Sequence, residues 1–103
     1  MPGLKIGILL HEQFKIGNIL VTMKQVKGPT NFVVELQKSM KEQFEINDKR
    51  PVEVMPGVTI MSGQGVKIEK ADGRIAYRPV VIIDAPEHIK ISRLKGEERF
   101  AKA

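Results

Sequence analysis

Cysteine and tryptophan are absent from the 103-residue chain, and its aromatic residues are four Phe and one Tyr. Without cysteine there can be no disulfide scaffold, no thiolate metal site and no cysteine nucleophile. The two histidines, His11 and His88, are far apart in the sequence and match no metal-ligand spacing. A core must therefore be built mainly from Ile, Val, Leu and Met, and we expect a non-enzymatic protein without a cofactor.

Long apolar runs are also missing. The run from Ile6 to Leu10 is ended by His11 and Glu12, well short of a signal-peptide core or a membrane span. We therefore expect a soluble, cytoplasmic protein, and the length predicts one domain. The net charge of +5 and the sequence pI near 9.6 favour polyanionic partners.

The most informative stretch runs from Pro79 to Lys95. Val80 to Ile83 is a run of β-branched residues, which predicts a strand covered on both faces. Ala85-Pro86 ends this strand, because proline has no N–H to donate to a sheet. From His88 to Arg93 apolar and polar residues then alternate, which predicts a half-solvated strand. We interpret this buried strand, proline corner and exposed basic strand as a binding edge.

The rest of the chain is mainly typical of β structure, with Gly and Pro turns between short apolar runs. The predicted strands are Leu4 to Leu10, Phe14 to Asn18, Ile19 to Val26, Val52 to Met55, Val58 to Met61, Val66 to Lys70 and Arg74 to Arg78. Gly63-Gln64-Gly65 lacks the third glycine of a phosphate-binding loop and predicts a turn between two strands. The triplets Val21-Gly28-Phe32 and Val66-Gly73-Tyr77 share their spacings, which indicates two hairpins of one size or an internal repeat.

Residues 31–46 are ambiguous. Four large apolar residues recur at intervals of four, as on one face of a helix: Phe32, Leu36, Met40 and Phe44. Alternatively, Asn31 to Val34 begins the return strand of a hairpin tipped at Gly28. We predict a short strand giving way to one inserted helix, about residues 31–46, that ends before the Arg50-Pro51 break. The expected fold class is therefore mainly β with one inserted helix, in a small sheet or barrel.

Two segments carry a more specific pattern. His11 to Gly28 combines Glu12, the triplet Ile16-Gly17-Asn18 and an alternating strand that ends in Val26-Lys27-Gly28. Ala85 to Arg93 combines Ala-Pro, an alternating apolar strand and an arginine seven residues after the proline. Together these segments resemble the carbon storage regulator family, which consists of small β proteins that bind messenger RNA and control translation.

The resemblance divides the chain into family-like strands at residues 1–28 and 79–94, an insertion at 29–78 and a polar tail at 95–103. Family members are much shorter, so the insertion is a departure. The first strand offers Lys5 as its only basic residue, and Ser92 stands where the family usually has histidine.

The resemblance also implies an intertwined homodimer, in which each chain lends strands to the other's sheet and GGA-containing RNA loops bind at the two edges. Arginine can donate two parallel hydrogen bonds to guanine, and an edge-strand backbone can read unstacked bases. Arg93 would be the main base or phosphate contact, with Ile89 and Ile91 packed beneath it. The RNA-binding residues implied in this way are Lys5, Ala85, Pro86, Glu87, His88, Ile89, Lys90, Ile91 and Arg93.

These observations give one leading hypothesis and two alternatives. The first is an RNA-binding regulator of translation. The second is a small β-rich structural or protein-interaction component, such as an assembly, phage or adaptor protein, whose strand edges pair with protein partners. The third keeps the family fold without RNA binding, and would bind a protein or inhibit a relative.

Overall fold

The structure, a computed structural model, describes residues 4–93. These residues form eleven strands: β1 (Leu4–Gly7), β2 (Gln13–Ile16), β3 (Ile19–Gly28), β4 (Asn31–Gln37), β5 (Lys41–Asn47), β6 (Val52–Met55), β7 (Val58–Ser62), β8 (Val66–Glu69), β9 (Ile75–Arg78), β10 (Val80–Asp84) and β11 (Ile91–Arg93). The predicted polar tail, 95–103, lies outside the described residues. The β-rich character predicted from the sequence is confirmed.

The strands form three antiparallel sheets. One sheet has the order β11-β2-β3-β4-β5, a second has the order β1-β10-β7-β6, and the hairpin β8-β9 is a two-stranded third. Each large sheet is built mainly from one part of the chain and takes one strand from the other part. In this exchange β1 pairs with β10, with Leu4 opposite Ile83, and β11 pairs with β2, with Ile91 opposite Ile16.

Both large sheets contribute to one hydrophobic core. Alternate residues along each strand point into it, as the two-residue period of a strand requires. The five-stranded sheet supplies Phe14, Ile16, Val21, Met23, Phe32, Val34, Leu36 and Ile46, and the four-stranded sheet supplies Val54, Val58, Ile60, Val81 and Ile83. Two sheets that share a core in this way form a β-sandwich, and each of these fully buried side chains contributes about 1.5–3 kcal/mol.

The inserted helix predicted at about residues 31–46 is wrong. These residues form the hairpin β4–β5, in which Asn31 pairs with Asn47 and Gln37 with Lys41. Phe32 and Leu36 are both buried, but so is Val34 between them, which is the alternation of a strand. Met40, the third member of the presumed helical stripe, is 74% exposed at the hairpin turn. The alternative of a return strand beginning at Asn31 is the correct one.

A closed barrel, the other architecture predicted from the sequence, is also absent from residues 4–93, because the strand order of each sheet is open.

The predicted turns are confirmed: Gly17, Gly57 and Gly73 have φ values of 60°, 79° and 88°, which glycine adopts without steric cost. The sets Val21-Gly28-Phe32 and Val66-Gly73-Tyr77, which share their spacings, lie in the hairpins β3–β4 and β8–β9. The two hairpins differ in size, since β3 and β4 have ten and seven residues and β8 and β9 have four each, so equal hairpin size does not account for that pattern.

Candidate nucleic-acid interface

A groove with three cationic side chains lies where the edge strands of the two large sheets meet. Lys5 comes from β1, Arg93 from β11 and Arg78 from the end of β9. The groove encloses about 350 Å³, and its remaining walls are Ile6, Gly7, Val66 and Val80. All three cationic residues are exposed. We call this the cationic groove.

Arg78 reaches the groove because β1 has no side chain at Gly7. A Cβ atom built there would lie 3.4 Å from Cδ and 3.5 Å from Nε of Arg78, so the arginine stem rests directly over the strand backbone. Pro79 follows and is buried. Since proline cannot donate a ladder hydrogen bond, it separates β9 from β10. Its carbonyl oxygen accepts the N–H of Ile8 at 3.0 Å, which ties the corner to the end of β1.

The charges of the cationic groove are not matched by ion pairs within the described part of the chain. The ion pairs of the described residues are elsewhere, namely Lys24–Glu35, Lys27–Glu45, Lys38–Glu42, Lys41–Glu35 and Arg74–Asp72. Among residues 4–93, none of the three groove cations has a carboxylate within 4.0 Å. Three cations without a carboxylate partner among residues 4–93, placed around one concave surface, favour an anion with several charges, such as a phosphate backbone.

The structure brings together only two of the residues implied by the resemblance. Lys5 and Arg93 share the cationic groove, although they are 88 positions apart in the sequence. Arg93 also lies on an edge strand, because β11 is the outermost strand of its sheet within the described part of the chain. Arg78 was missed. Its signal in the sequence is no more than a lone arginine before a proline, and its position depends on pairing between distant strands.

The other implied residues, from Ala85 to Ile91, have a mainly structural setting. Ala85, Ile89 and Ile91 are partly buried against the core. The predicted alternating strand begins only at Ile91, because residues 86–89 form a turn in which the N–H of Ile89 donates to the Pro86 oxygen.

The turns of the β2–β3 and β6–β7 hairpins, which contain Gly17 and Gly57, contact the segment from Ala85 to Ile91 and anchor it. Gly17 donates its N–H to the Lys90 oxygen at 2.7 Å, and Pro86 contacts the surface over Gly57. Glu87, His88 and Lys90 are exposed on the turn but do not line the cationic groove. We therefore assign these residues to positioning β11, with Arg93 at its end.

In residues 4–93 no group of three or more His, Cys, Asp and Glu residues is placed to hold a metal ion. Gly63-Gln64-Gly65 connects β7 to β8, as predicted, and no helix follows it. Nowhere between residues 4 and 93 is there a helix with the length and apolar character to cross a membrane.

Comparison with known proteins gave no match to a family model, to a curated protein or to a solved structure. Inference about function therefore depends on the geometry of the groove and on the resemblance found in the sequence.

Proposed function

We propose that this protein binds single-stranded RNA in the cationic groove and regulates translation by occupying a segment of messenger RNA. The observation that carries the proposal is the meeting of Lys5, Arg78 and Arg93, without carboxylate partners among the described residues, at the edges of two sheets. Arginine is suited to this task because its planar fork can bind phosphate or the O6 and N7 atoms of guanine with two hydrogen bonds. A GGA-containing loop, as the resemblance to the carbon storage regulators implies, is the first ligand to test.

The fold places the first and the last described strands at the two sheet edges that form the groove. β1 completes the sheet built from residues 52–84, and β11 completes the sheet built from residues 13–47. The resemblance implies this kind of strand exchange between two chains, whereas here it occurs within one. A second copy is not required to complete either sheet, so the homodimer stays a prediction, and sedimentation at micromolar concentration tests it.

The decisive experiment is a salt titration of binding to a fluorescently labelled RNA hairpin with GGA in its loop. Each phosphate contact to single-stranded RNA contributes about −0.7 to the slope of log K against log salt, so three contacts give a slope of about −2. Arg78→Gln or Arg93→Gln should lower the affinity and reduce the magnitude of the slope by about 0.7. Arg93→Ala should weaken binding by about 1–3 kcal/mol if the side chain reads a base.

Arg74→Gln is the matched control. Like Arg78→Gln, it removes one positive charge at an end of strand β9. Arg74, however, is paired with Asp72 at the turn end of the β8–β9 hairpin, opposite the end that carries Arg78. If Arg74→Gln weakens binding as much as Arg93→Gln does, the effect reflects total charge and the groove is not the site.

A protein partner at the strand edges is the second candidate function. It is favoured by the open edges of the large sheets, which are formed by β1, β6, β5 and β11 in the described part of the chain. Exposed edges can accept a further strand. Such a contact would respond little to salt, which distinguishes it from RNA binding in the same titration.

A further inference from the structure

A second, larger groove adjoins the cationic groove and has apolar walls. It encloses about 690 Å³, and its lining includes Leu9, Leu10, Ile68, Ile75, Ala76 and Tyr77. This volume falls in the range of sites that hold small organic groups. Three of the apolar side chains are unusually exposed, with Leu9 at 40%, Leu10 at 46% and Ile75 at 51%. Exposed apolar residues concentrated in one concavity indicate a binding surface.

The chain holds the two leucines in place at some conformational cost. They lie in a tight turn in which the N–H of Leu9 donates to the Glu12 carboxylate at 3.0 Å, and the N–H of Glu12 donates to the Leu9 oxygen at 3.0 Å. The same turn has His11 at a φ of 70°, a left-handed conformation that is uncommon for a residue with a side chain. The N–H of His11 donates to the Met23 oxygen at 2.8 Å, which fixes the turn to β3.

The register of the β8–β9 hairpin places the two grooves next to each other along the same two strands. Val66 is paired with Arg78, and both line the cationic groove. The next pair on the same face of the hairpin is Ile68 with Ala76, and both line the apolar groove. Two residues along a strand correspond to about 7 Å, so a ligand can extend from one groove into the other. Tyr77, which is paired with Lys67, stands on the opposite face of the hairpin from Ala76 and Arg78, and it also lines the apolar groove.

We propose that the apolar groove receives an unstacked base of the RNA strand whose phosphates lie in the cationic groove. This inference rests on the proposed function and adds a base-binding subsite to it. An unpaired base needs an apolar or aromatic surface close to a cationic track for the backbone, and single-stranded RNA supplies both parts in one molecule. Lys70, which also lines this groove, can contact a phosphate that flanks the bound base, whereas Lys27 is already paired with Glu45.

The single tyrosine gives a direct measurement. Because the chain has one Tyr and no Trp, its intrinsic fluorescence comes from Tyr77 alone. Entry of a base into the apolar groove should quench this fluorescence in parallel with binding measured on the labelled RNA. Binding without a change in Tyr77 fluorescence would overturn the base-binding subsite and leave the proposed function intact. Absence of binding even at low salt would overturn both.

A double-mutant cycle tests the subsite quantitatively. An RNA series in which successive loop nucleotides are made abasic keeps every phosphate and removes one base at a time. With the wild-type protein, one abasic position should weaken binding by about tenfold, the scale of one base stacked on an aromatic side chain. In Tyr77→Ala or Leu10→Ala, an abasic nucleotide at that same position should cause no further loss of affinity, and the salt slope should stay unchanged.

Two control variants complete the design. Tyr77→Phe keeps the ring and should retain most of the affinity, and Met40→Ala truncates an exposed apolar side chain in the β4–β5 turn, outside the groove. Leu10 is 46% exposed in a turn, so Leu10→Ala should fold normally even if a change at half-buried Tyr77 does not. Equal abasic penalties in wild type, Leu10→Ala and Tyr77→Ala would show that no base enters the groove.

Discussion

Gly65 offers the sharpest test of the fold, because a single methyl group added there meets backbone atoms. A Cβ atom at Gly65 would lie 2.6 Å from the carbonyl oxygen of Pro29, and 3.2 and 3.3 Å from its Cα and C atoms. Ordinary contacts between carbon and a carbonyl oxygen begin at about 3.3 Å. The backbone around Pro29 cannot turn aside as a flexible side chain would, so Gly65→Ala must separate the β7–β8 connection from the β3–β4 turn.

The loss of stability expected for Gly65→Ala has two contributions. Overpacking by one methyl group costs about 1–3 kcal/mol, and the separation also weakens the hydrogen bond from the Gly65 N–H to the Pro29 oxygen, which is 2.7 Å long. We expect the free energy of unfolding to fall by about 2 kcal/mol. For a domain of this size that corresponds to a Tm lower by about 8–16 °C.

Gly28→Ala is the control for this measurement. Apart from its two chain neighbours, no atom of residues 4–93 lies within 4 Å of a Cβ built at Gly28, and like Gly65 it has no left-handed φ. Its substitution should therefore leave stability unchanged or raise it by up to about 1 kcal/mol, through a lower entropy of the unfolded chain. Thermal unfolding followed by circular dichroism, supported by urea titration, compares the two variants. A Tm for Gly65→Ala equal to that for Gly28→Ala would refute the placement of Gly65 against Pro29.

Two further predictions concern the surface. Met40→Lys should change the free energy of unfolding by no more than about 0.5 kcal/mol in urea titration, because Met40 is 74% exposed, and a loss of several kcal/mol would restore the helical interpretation. The Asp72 carboxylate accepts hydrogen bonds from the backbone N–H and from the side chain of Arg74. Both bonds lower the pKa of Asp72 below its ordinary value of 3.8, and the backbone bond has the larger effect. A lowered folded-state pKa gives a contribution that is present above about pH 3.8 and is lost as the pH falls through the folded value. Wild type and Asp72→Asn should therefore become more alike in stability on acid titration, and a difference that grows with acid would contradict this.

Local signals predicted the β-strands well in the second half of the chain. There Pro56-Gly57 and Ala71 to Gly73 mark turns whose chemistry does not depend on distant residues, and strand β6 begins and ends as predicted. The hairpin β4–β5 was mistaken for a helix because Phe32 and Leu36 satisfy both periods. The buried Val34 between them was the discriminating residue, since it belongs to an alternating strand and not to a stripe with a period of four.

The candidate site was only partly predictable, for a physical reason. Lys5 and Arg93 could be inferred from a resemblance over short segments, but Arg78 could not. Its position depends on the pairing of β1 with β10 and on the missing side chain at Gly7, and both are long-range features. No local pattern in a single sequence encodes which strands become neighbours across 70 or more positions.

The strand exchange has a consequence for the time at which the cationic groove is completed during synthesis. Lys5 lies in the first described strand and Arg93 in the last, and β1 has no neighbour until β10 has been made. A nascent chain that has emerged only as far as β9 has neither the support for Lys5 nor the arginine that faces it. Under the proposed function, RNA binding would therefore begin only after β11 leaves the ribosome, and a product truncated before residue 93 would lack a complete cationic groove even if its first hairpins had folded.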